Sequence, residues 1–323
     1  MRSREKPNSI SVVAPCFNEA EGIPELLKRL TAVLKDLSNQ YEIILIDDGS
    51  TDQTWSVIKE SRSLYPQLKG IKLSRNFGHQ LALTSGLDQA KGEVVLIIDA
   101  DLQDPPELLP EMLDKWRQGY DVVYGQRSVR QGEPKLKKLF AYGFYRILSR
   151  IAKIEVPRDT GDFRLIDRRA LDALNSLRER HRFVRGMVSW VGFKQCPIFY
   201  ERPPRFAGET KYPFKKSLKL AFDAITSFSY MPLRAASFLG VWVSIFAFFY
   251  IAVVIVLKFL GINFPGYTSI MASILLLGGV QLIVLGILGE YVGRIFEQGQ
   301  NRPLYIISEI EGEPLSQKNK SNQ

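Results

Sequence analysis

Residues 93–106 have the sequence EVVLIIDADLQDPP, in which a short apolar run leads directly into acidic and amide side chains. Similar runs of β-branched and apolar residues occur at 10–14, 42–46, 70–73 and 121–124. Helical patterns lie between the runs, at 24–37, 53–64, 78–89 and 107–118. Continuous apolar strands that alternate with helices predict an α/β fold, with a mostly parallel sheet covered by helices on both faces.

Polar side chains follow the first four predicted strands, at 15–19, 47–50, 74–76 and 99–101. Ligands of parallel sheets bind at the carboxyl ends of the strands, and these ends share one edge. The sequence therefore predicts a single site at this edge. A redox dinucleotide site is excluded because no GxGxxG follows the first strand, and the chain contains no Walker A motif that would indicate a nucleoside triphosphatase.

Asp99 and Asp101 stand two residues apart at a strand end, so their side chains point to the same side. Two carboxylates aimed together repel each other unless a cation lies between them, and oxygen ligands suit Mg²⁺ or Mn²⁺. The alternative, a carboxylate that caps a turn, explains Asp104 before Pro105 better than it explains Asp101. Asp48, at the tip of the second strand, is expected to be free to accept a hydrogen bond from a nucleotide base.

Two runs without an acidic or basic residue, 235–257 and 268–289, are each long enough as a helix to cross a bilayer core of roughly 30 Å. Buried core helices are the alternative. Positive charges flank the pair on its outer sides, whereas the connector holds only Lys258. We therefore expect a multi-pass protein of the bacterial inner (plasma) membrane with a cytoplasmic N-terminal domain. The two cysteines of the chain, Cys16 and Cys196, fit a reducing compartment.

The predicted organisation has four parts. Residues 1–212 are expected to form an N-terminal domain outside the membrane, 213–233 an amphipathic helix in the membrane interface, 234–295 the two transmembrane helices and 296–323 a cytoplasmic tail. The amphipathic helix has an alternative as a surface helix that docks on the catalytic domain. The second span carries a strip of small residues: Gly278, Gly279, Gly286, Gly289 and Gly293. Such a strip lets two helices approach closely, and it predicts a homo-oligomer. The alternative is that the strip packs against the first span of the same chain.

Basic residues are concentrated at 126–158 and 200–219, and the whole chain has a net charge of +9. Such patches are typical of nucleic-acid-binding proteins. Beside a membrane hairpin, however, anionic lipid headgroups explain them better. We therefore expect a lipid bilayer as a partner, and no nucleic acid.

Five motifs together carry a family resemblance: PCFNE at 15–19, IDDGS at 46–50, RNFGHQ at 75–80, DADLQDPPE at 99–107 and GQR at 125–127. The set resembles family 2 glycosyltransferases with the GT-A fold. More narrowly it resembles the polyprenyl-phosphate glycosyltransferases, which include dolichol-phosphate mannose synthase and the bactoprenol glucosyltransferases of the GtrB type. The likeness covers about residues 8–212, and the two spans match the GtrB type.

The resemblance implies roles for individual residues. The nucleotide sugar would be held by Pro15, Asn18, Glu19, Asp47, Asp48, Arg75 and Asn76. The metal, Mg²⁺ or Mn²⁺, and the diphosphate would be held by Asp99, Asp101 and Gln103. The acceptor phosphate would be held by Arg127, Lys137, Arg205 and Lys211. The catalytic residues would be Asp101, Arg127 and Asp159, although a second acid, Asp162, leaves the choice between it and Asp159 open. His79 is expected to be a satisfied helix-start residue rather than a catalytic one.

The predicted reaction is inverting transfer of glucose from UDP-glucose to undecaprenyl (polyprenyl) phosphate on the cytoplasmic face. Another donor, a UDP-4-amino-arabinose derivative or GDP-mannose, is the first alternative. The second is a lipid-binding or flipping protein without catalytic activity, although two spans are few for a sugar-lipid pathway. A polysaccharide synthase would be expected to carry a Gln-x-x-Arg-Trp motif, which this chain lacks.

Overall fold

The computed structural model describes residues 4–38, 40–127, 160–201, 231–260 and 266–312. The chain divides into two compact units. The first contains the described residues up to 201 together with 303–312, and the second contains those from 231 to 302. The predicted amphipathic segment up to residue 230 lies outside the described residues, as does the end of the tail from residue 313.

The first unit is built on one sheet with helices on both faces. Its strands are β1 (Ile10–Cys16), β2 (Tyr41–Asp47), β3 (Leu68–Leu73), β4 (Val94–Ile97), β5 (Val122–Arg127), β6 (Thr160–Asp167), β7 (Gln195–Tyr200) and β8 (Ile307–Glu311). Its helices are α1 (Ile23–Leu37), α2 (Thr54–Ser61), α3 (His79–Gln89), α4 (Leu109–Arg117), α5 (Arg168–Ser176) and α6 (Val184–Trp190), and a 3₁₀ turn spans Pro106–Leu108.

The strand order is β7-β5-β6-β4-β1-β2-β3-β8. Strands β4, β1, β2 and β3 are parallel, as are β5 and β7, whereas β6 and β8 run antiparallel to their neighbours. The predicted α/β fold with a mostly parallel sheet is therefore confirmed. Every residue of β1 and β2 is buried, which explains why these strands are continuous apolar runs rather than alternating ones.

The core on one face of the sheet is closed by α1, whose apolar residues recur at helical spacing. Ile23, Leu27, Leu30 and Leu34 are all fully buried, and each contributes roughly 1.5–3 kcal/mol to folding by leaving water. Lys35 in the last turn and Glu25 in the first complement the helix dipole. This packing fixes β1, and with it the loop that follows β1.

Strand β8 was not predicted from the sequence, which assigns residues 296–323 to a tail. It pairs antiparallel with β3 at the edge of the sheet. The side chain of Glu309 accepts a hydrogen bond from Trp55 Nε1 at 2.9 Å, and Tyr305 Oη donates one to Asp88 Oδ2 at 2.7 Å. Because an edge strand with both faces partly exposed needs no apolar run, its hydrophobic pattern is weak.

Removal of β8 is expected to destabilise the first unit. Truncation after Arg302 deletes the pairing with β3 and leaves Trp55 without its partner, which should cost roughly 3 kcal/mol or more. The melting temperature of the detergent-solubilised protein should fall by about 5 °C or more. Truncation after Gly312 keeps β8 and serves as the control. Equal melting temperatures for both truncations would show that the strand adds no stability.

The second unit contains two long apolar helices, α7 (Met231–Phe259) and α8 (Tyr267–Gly299). Both are long and apolar enough to cross a membrane, and their apolar stretches are not buried within the structure. They contain the predicted spans 235–257 and 268–289. A Cβ added at each glycine of the small-residue strip would meet nothing within 4 Å among the described residues. Self-association through this strip stays a prediction.

Candidate functional site

The loops after β1 and β2 are fastened to each other at the carboxyl edge of the sheet. Asn18, whose φ is +55°, accepts the N–H of Thr51 through Oδ1 at 2.9 Å and donates its own N–H to Ser50 Oγ at 3.0 Å. The N–H of Glu19 donates to Thr54 Oγ1 at 2.9 Å. The structure therefore brings together the ends of β1 and β2 and the loops that follow them, where the predicted nucleotide-binding residues lie: Pro15, Asn18, Glu19, Asp47 and Asp48.

The two aspartates at the end of β2 accept hydrogen bonds from the backbone N–H groups of nearby loops. Asp47 is fully buried and accepts the N–H of Ser50 at 2.9 Å. Asp48 accepts the N–H of Phe77 at 2.8 Å through one oxygen and the N–H of Gly78 at 2.9 Å through the other. Burial raises the pKa of Asp48, and these two hydrogen bonds oppose that rise. Asp48 therefore holds the loop after β3, which the sequence does not predict. Each of its oxygens can accept a further hydrogen bond, so its expected contact with a nucleotide base stays a prediction.

That loop also carries Arg75 and Asn76. A Cβ on Gly49, whose φ is +66°, would lie 2.5 Å from the carbonyl carbon of Arg75. Glycine is therefore required for the two loops to approach this closely. The Arg75 guanidinium lies 4.0 Å from the ring centroid of Phe77, and Arg75 Nη1 donates to the carbonyl of Asn76 at 3.0 Å. Both predicted sugar-nucleotide residues lie at the same sheet edge as Asp48.

The acidic pair follows β4. Asp101 Oδ1 accepts the N–H of Gln103 at 3.2 Å, across Leu102 with its φ of +59°. Asp99 Oδ1 is buried and has no hydrogen-bond partner among the described residues. Burial raises the pKa of Asp99, and His79 opposes that rise. A buried carboxylate oxygen without a partner is costly, so its presence beside a second carboxylate points to a cation or donor that completes the site.

A divalent metal fits this donor set. The described residues contain no group of three or more His, Cys, Asp or Glu side chains placed to hold a metal by themselves. The oxygens of Asp99, Asp101 and Gln103 can supply part of the shell of a hard cation, which prefers oxygen ligands. The remaining ligands would have to come from a bound anion or from water.

Asp162 lies near Asp99, in a hydrogen-bond network that the sequence does not predict. This carboxylate is 1% exposed. It accepts hydrogen bonds from Arg185 Nε at 2.9 Å and Gln80 Nε2 at 3.1 Å, and His79 Nε2 lies 3.1 Å from it. Burial disfavours its charged form, yet Arg185 and His79 hold the pKa of Asp162 well below its usual range. These contacts therefore favour the charged form of Asp162.

His79 contacts two acids at the start of α3. Its Nε2 lies 3.1 Å from Asp162 Oδ2 and 3.7 Å from Asp99 Oδ1. Burial lowers its pKa, but the hydrogen bond to Asp162 and the charge of Asp99 outweigh that effect and raise the pKa of His79 to about 9. His79 therefore has a hydrogen-bond partner, and the expectation that it is a satisfied helix-start residue rather than a catalytic one stays a prediction.

Arg127, at the end of β5, stands on the other side of Asp162 along the sheet. The preceding residue, Gln126, is paired with Thr160 of β6. Arg127 Nη2 would lie 3.4 Å from a Cβ added to Gly161. Its Nε is buried without a hydrogen-bond partner among the described residues. The Arg127 side chain also interacts with Tyr200, whose Oη donates to Asp104 Oδ1 at 2.6 Å. The expected contact of Arg127 with an acceptor phosphate stays a prediction.

The other predicted acceptor residues, Lys137, Arg205 and Lys211, lie outside the described residues, as does Asp159. Asp162 lies among the described residues of the site, and the choice between it and Asp159 stays open. Gln80, Asp162 and Arg185 have no local sequence signal as a group, because they come from three separate segments of the chain.

Comparison with known proteins shows the family to which the chain belongs. The sequence profile described as Glycosyl transferase family 2 matches residues 11–174. An uncharacterized glycosyltransferase of Bacillus subtilis (strain 168), YkcC, is 47% identical over 303 residues, which cover 94% of each chain. The SfII prophage-derived bactoprenol glucosyl transferase of Shigella flexneri is 42% identical over 300 residues, or 92% of this chain and 97% of that protein.

A solved structure with a related backbone is glucosyl-3-phosphoglycerate synthase from Mycobacterium tuberculosis, in complex with Mn²⁺, UDP and glucosyl-3-phosphoglycerate. It is 17% identical, with a TM-score of 0.48 over 68% of this chain and 78% of that one.

Proposed function

Because the chain belongs to glycosyltransferase family 2, we propose that it transfers a hexose, glucose from UDP-glucose in the leading case, to undecaprenyl phosphate. The observation that carries the proposal is the buried, unpartnered Asp99 oxygen beside Asp101, at the edge where the β1 and β2 loops meet. The relatives named bactoprenol glucosyl transferase support a polyprenyl acceptor.

The nucleotide would bind across the joined loops. Asn18 and Glu19 are held by the β2 loop, and Asp48 holds the β3 loop with Arg75 and Asn76. This rigid edge offers backbone and side-chain groups to the nucleoside without reordering them on binding, which lowers the entropic cost of binding.

The diphosphate would lie beside the acidic pair. Asp99, Asp101 and Gln103 would hold Mg²⁺ or Mn²⁺, which when bound neutralises the charge that the leaving diphosphate develops. Asp101 fixes the turn that presents Gln103. Arg127 and the positively charged His79 would add fixed charge near the reacting centre.

The chemical step would be one in-line displacement. An oxygen of the lipid phosphate attacks the anomeric carbon from the side opposite the nucleotide, the bond to the UDP oxygen breaks, and the configuration inverts. A phosphate monoester already carries negative charge at pH 7, since its second pKa is around 6, so it needs no strong base. Arg127, with Lys137, Arg205 and Lys211, would hold this phosphate, and Asp159 would orient reacting groups.

The test is a transfer assay with the full-length protein in membranes. Undecaprenyl phosphate and each radiolabelled nucleotide sugar are supplied in turn, and label is counted in the lipid extract. We expect label from UDP-glucose. Label from GDP-mannose or from the UDP-4-amino-arabinose derivative instead would select the alternative donor. Absence of labelled lipid with all donors would leave lipid binding or flipping without catalysis.

The chain order supports a membrane hairpin. The described residues up to 201 and those from 303 to 312 belong to the same unit, in which β8 pairs with β3. A pair of helices that crosses the bilayer must then begin and end on the same side. The positive flanks place that side in the cytoplasm, so the protein would be a multi-pass inner-membrane enzyme.

This topology predicts a labelling pattern. A cysteine at Ser269 should react with a membrane-impermeant maleimide added to intact cells, because it lies next to the outer connector. A cysteine at Gln298 should react only after the cells are permeabilised. Background should be low because Cys16 and Cys196 are both buried. The reverse pattern would place the catalytic unit outside.

A further inference from the structure

Helix α6 contributes a side chain to the site from beyond the residues that the family profile matches, which end at 174. Arg185 donates to Asp162 Oδ1 through Nε at 2.9 Å and to Oδ2 through Nη2 at 3.3 Å. Its Nη1 donates to the carbonyl of Thr160 at 3.1 Å. The planar guanidinium thus donates hydrogen bonds both to the Asp162 side chain and to the backbone at the start of β6. A lysine cannot reproduce this geometry.

Gln80, in the first turn of α3, also contacts Asp162. Its Oε1 accepts the N–H of Val184 at 2.9 Å, and its Nε2 donates to Asp162 Oδ2 at 3.1 Å. The first turns of α3 and α6 are therefore tied to each other and to Asp162 by one amide. A buried carboxylate that accepts this many hydrogen bonds has little freedom to rotate.

The network continues to the acidic pair through His79. Its Nε2 lies 3.1 Å from Asp162 Oδ2 and 3.7 Å from Asp99 Oδ1, the oxygen that has no hydrogen-bond partner in the described part of the chain. Asp162 and His79 link Arg185 to Asp99 by contacts in the described part of the chain, and the charge of Arg185 also acts on Asp99 directly.

We propose that Arg185 is a positioning residue for the diphosphate end of the site. By fixing Asp162 it fixes the imidazole of His79, and thereby the place of Asp99 where a divalent cation and a nucleoside diphosphate bind. This inference rests on the proposed function, and it assigns to α6 a part in donor binding that the matched domain does not contain.

The experiment measures Mn²⁺ binding by electron paramagnetic resonance, on full-length protein in detergent with saturating UDP and no acceptor. Arg185→Gln is expected to raise the dissociation constant of Mn²⁺ about tenfold, and Arg185→Lys by a smaller factor. Arg178→Gln is the matched control, because Arg178 makes a comparable pair with Asp88, at 2.8 and 2.9 Å, away from the acidic pair. It should leave Mn²⁺ binding unchanged.

A double variant tests the route. If Arg185 acts through His79, Arg185→Gln combined with His79→Gln should bind Mn²⁺ no more weakly than the weaker single variant. Additive losses would overturn the route through His79. Unchanged Mn²⁺ binding in Arg185→Gln, or an equal loss in Arg178→Gln, would overturn the positioning role. If Arg185→Gln does not fold, Arg185→Lys carries the same comparison.

The assay contains no acceptor lipid, so its result is separate from the fate of the proposed function. A wild-type protein that binds Mn²⁺ and UDP but labels no lipid would refute the transfer reaction and leave the role of Arg185 testable.

Discussion

Asp101→Ala is expected to lower sugar transfer by about 1,000-fold, the loss that follows when one strong electrostatic contact to a leaving group is removed. Asp101 is one of two carboxylates at the end of β4, and it also accepts the N–H of Gln103. The substitution should therefore remove a metal ligand and loosen the turn that presents the amide. The measurement is the initial rate of lipid labelling over a series of Mg²⁺ concentrations.

Asp101→Asn separates the two effects. The asparagine oxygen can still accept the N–H of Gln103, but the negative charge is gone. We expect this variant to melt at the wild-type temperature and to lose nearly as much activity as Asp101→Ala. Near-wild-type turnover of Asp101→Ala under limiting Mg²⁺ would remove Asp101 from the metal site.

Asp48→Ala is expected to weaken UDP binding by about 100-fold and to destabilise the catalytic unit by roughly 2–4 kcal/mol. Its carboxylate accepts the N–H groups of Phe77 and Gly78, and without it both groups lose their partner. The loop that carries Arg75 and Asn76 should then move away from the β2 loop. Isothermal titration with UDP and a thermal melt measure the two effects.

Asp52→Ala provides the comparison for Asp48. Asp52 also accepts two backbone N–H groups, those of Thr54 at 3.0 Å and Ala20 at 3.4 Å, but it is exposed. Its loss should cost only about 1 kcal/mol, as for a helix cap. UDP affinity should stay within about threefold of wild type by the same argument. Equal effects of the two substitutions would mean that Asp48 has no special place at the donor site.

The parts of the fold that the sequence predicts are those with local signals. Strands β1, β2 and β4 are apolar runs with polar ends, and the strand register alone brings those ends to one edge. The two long apolar helices follow from length and composition. Antiparallel strands β6 and β8 have no such signal, because their place in the sheet depends on partners far away in the chain.

The candidate site also has residues that the sequence predicts and contacts that it does not. The acidic pair is visible in the sequence because Asp99 and Asp101 are neighbours. Asp48 is visible as a strand-end acid, but its partners Phe77 and Gly78 are not, and so the sequence suggests a free carboxylate. The sequence also offers two acids, Asp159 and Asp162, without a choice between them. The contact of Asp162 with Arg185 exists only once α6 has packed against β6.

Strand β8 also sets an order of events during biosynthesis. The ribosome releases β3 early, yet the partner that covers its edge is made only after both apolar helices have been translated. Until residues 307–311 have been made, that edge is open for pairing with other chains. If the two apolar helices enter a membrane as proposed, the sheet would be completed only after they have been made. A chain that stops within them would keep an exposed edge and apolar surface, which chaperones and proteases recognise.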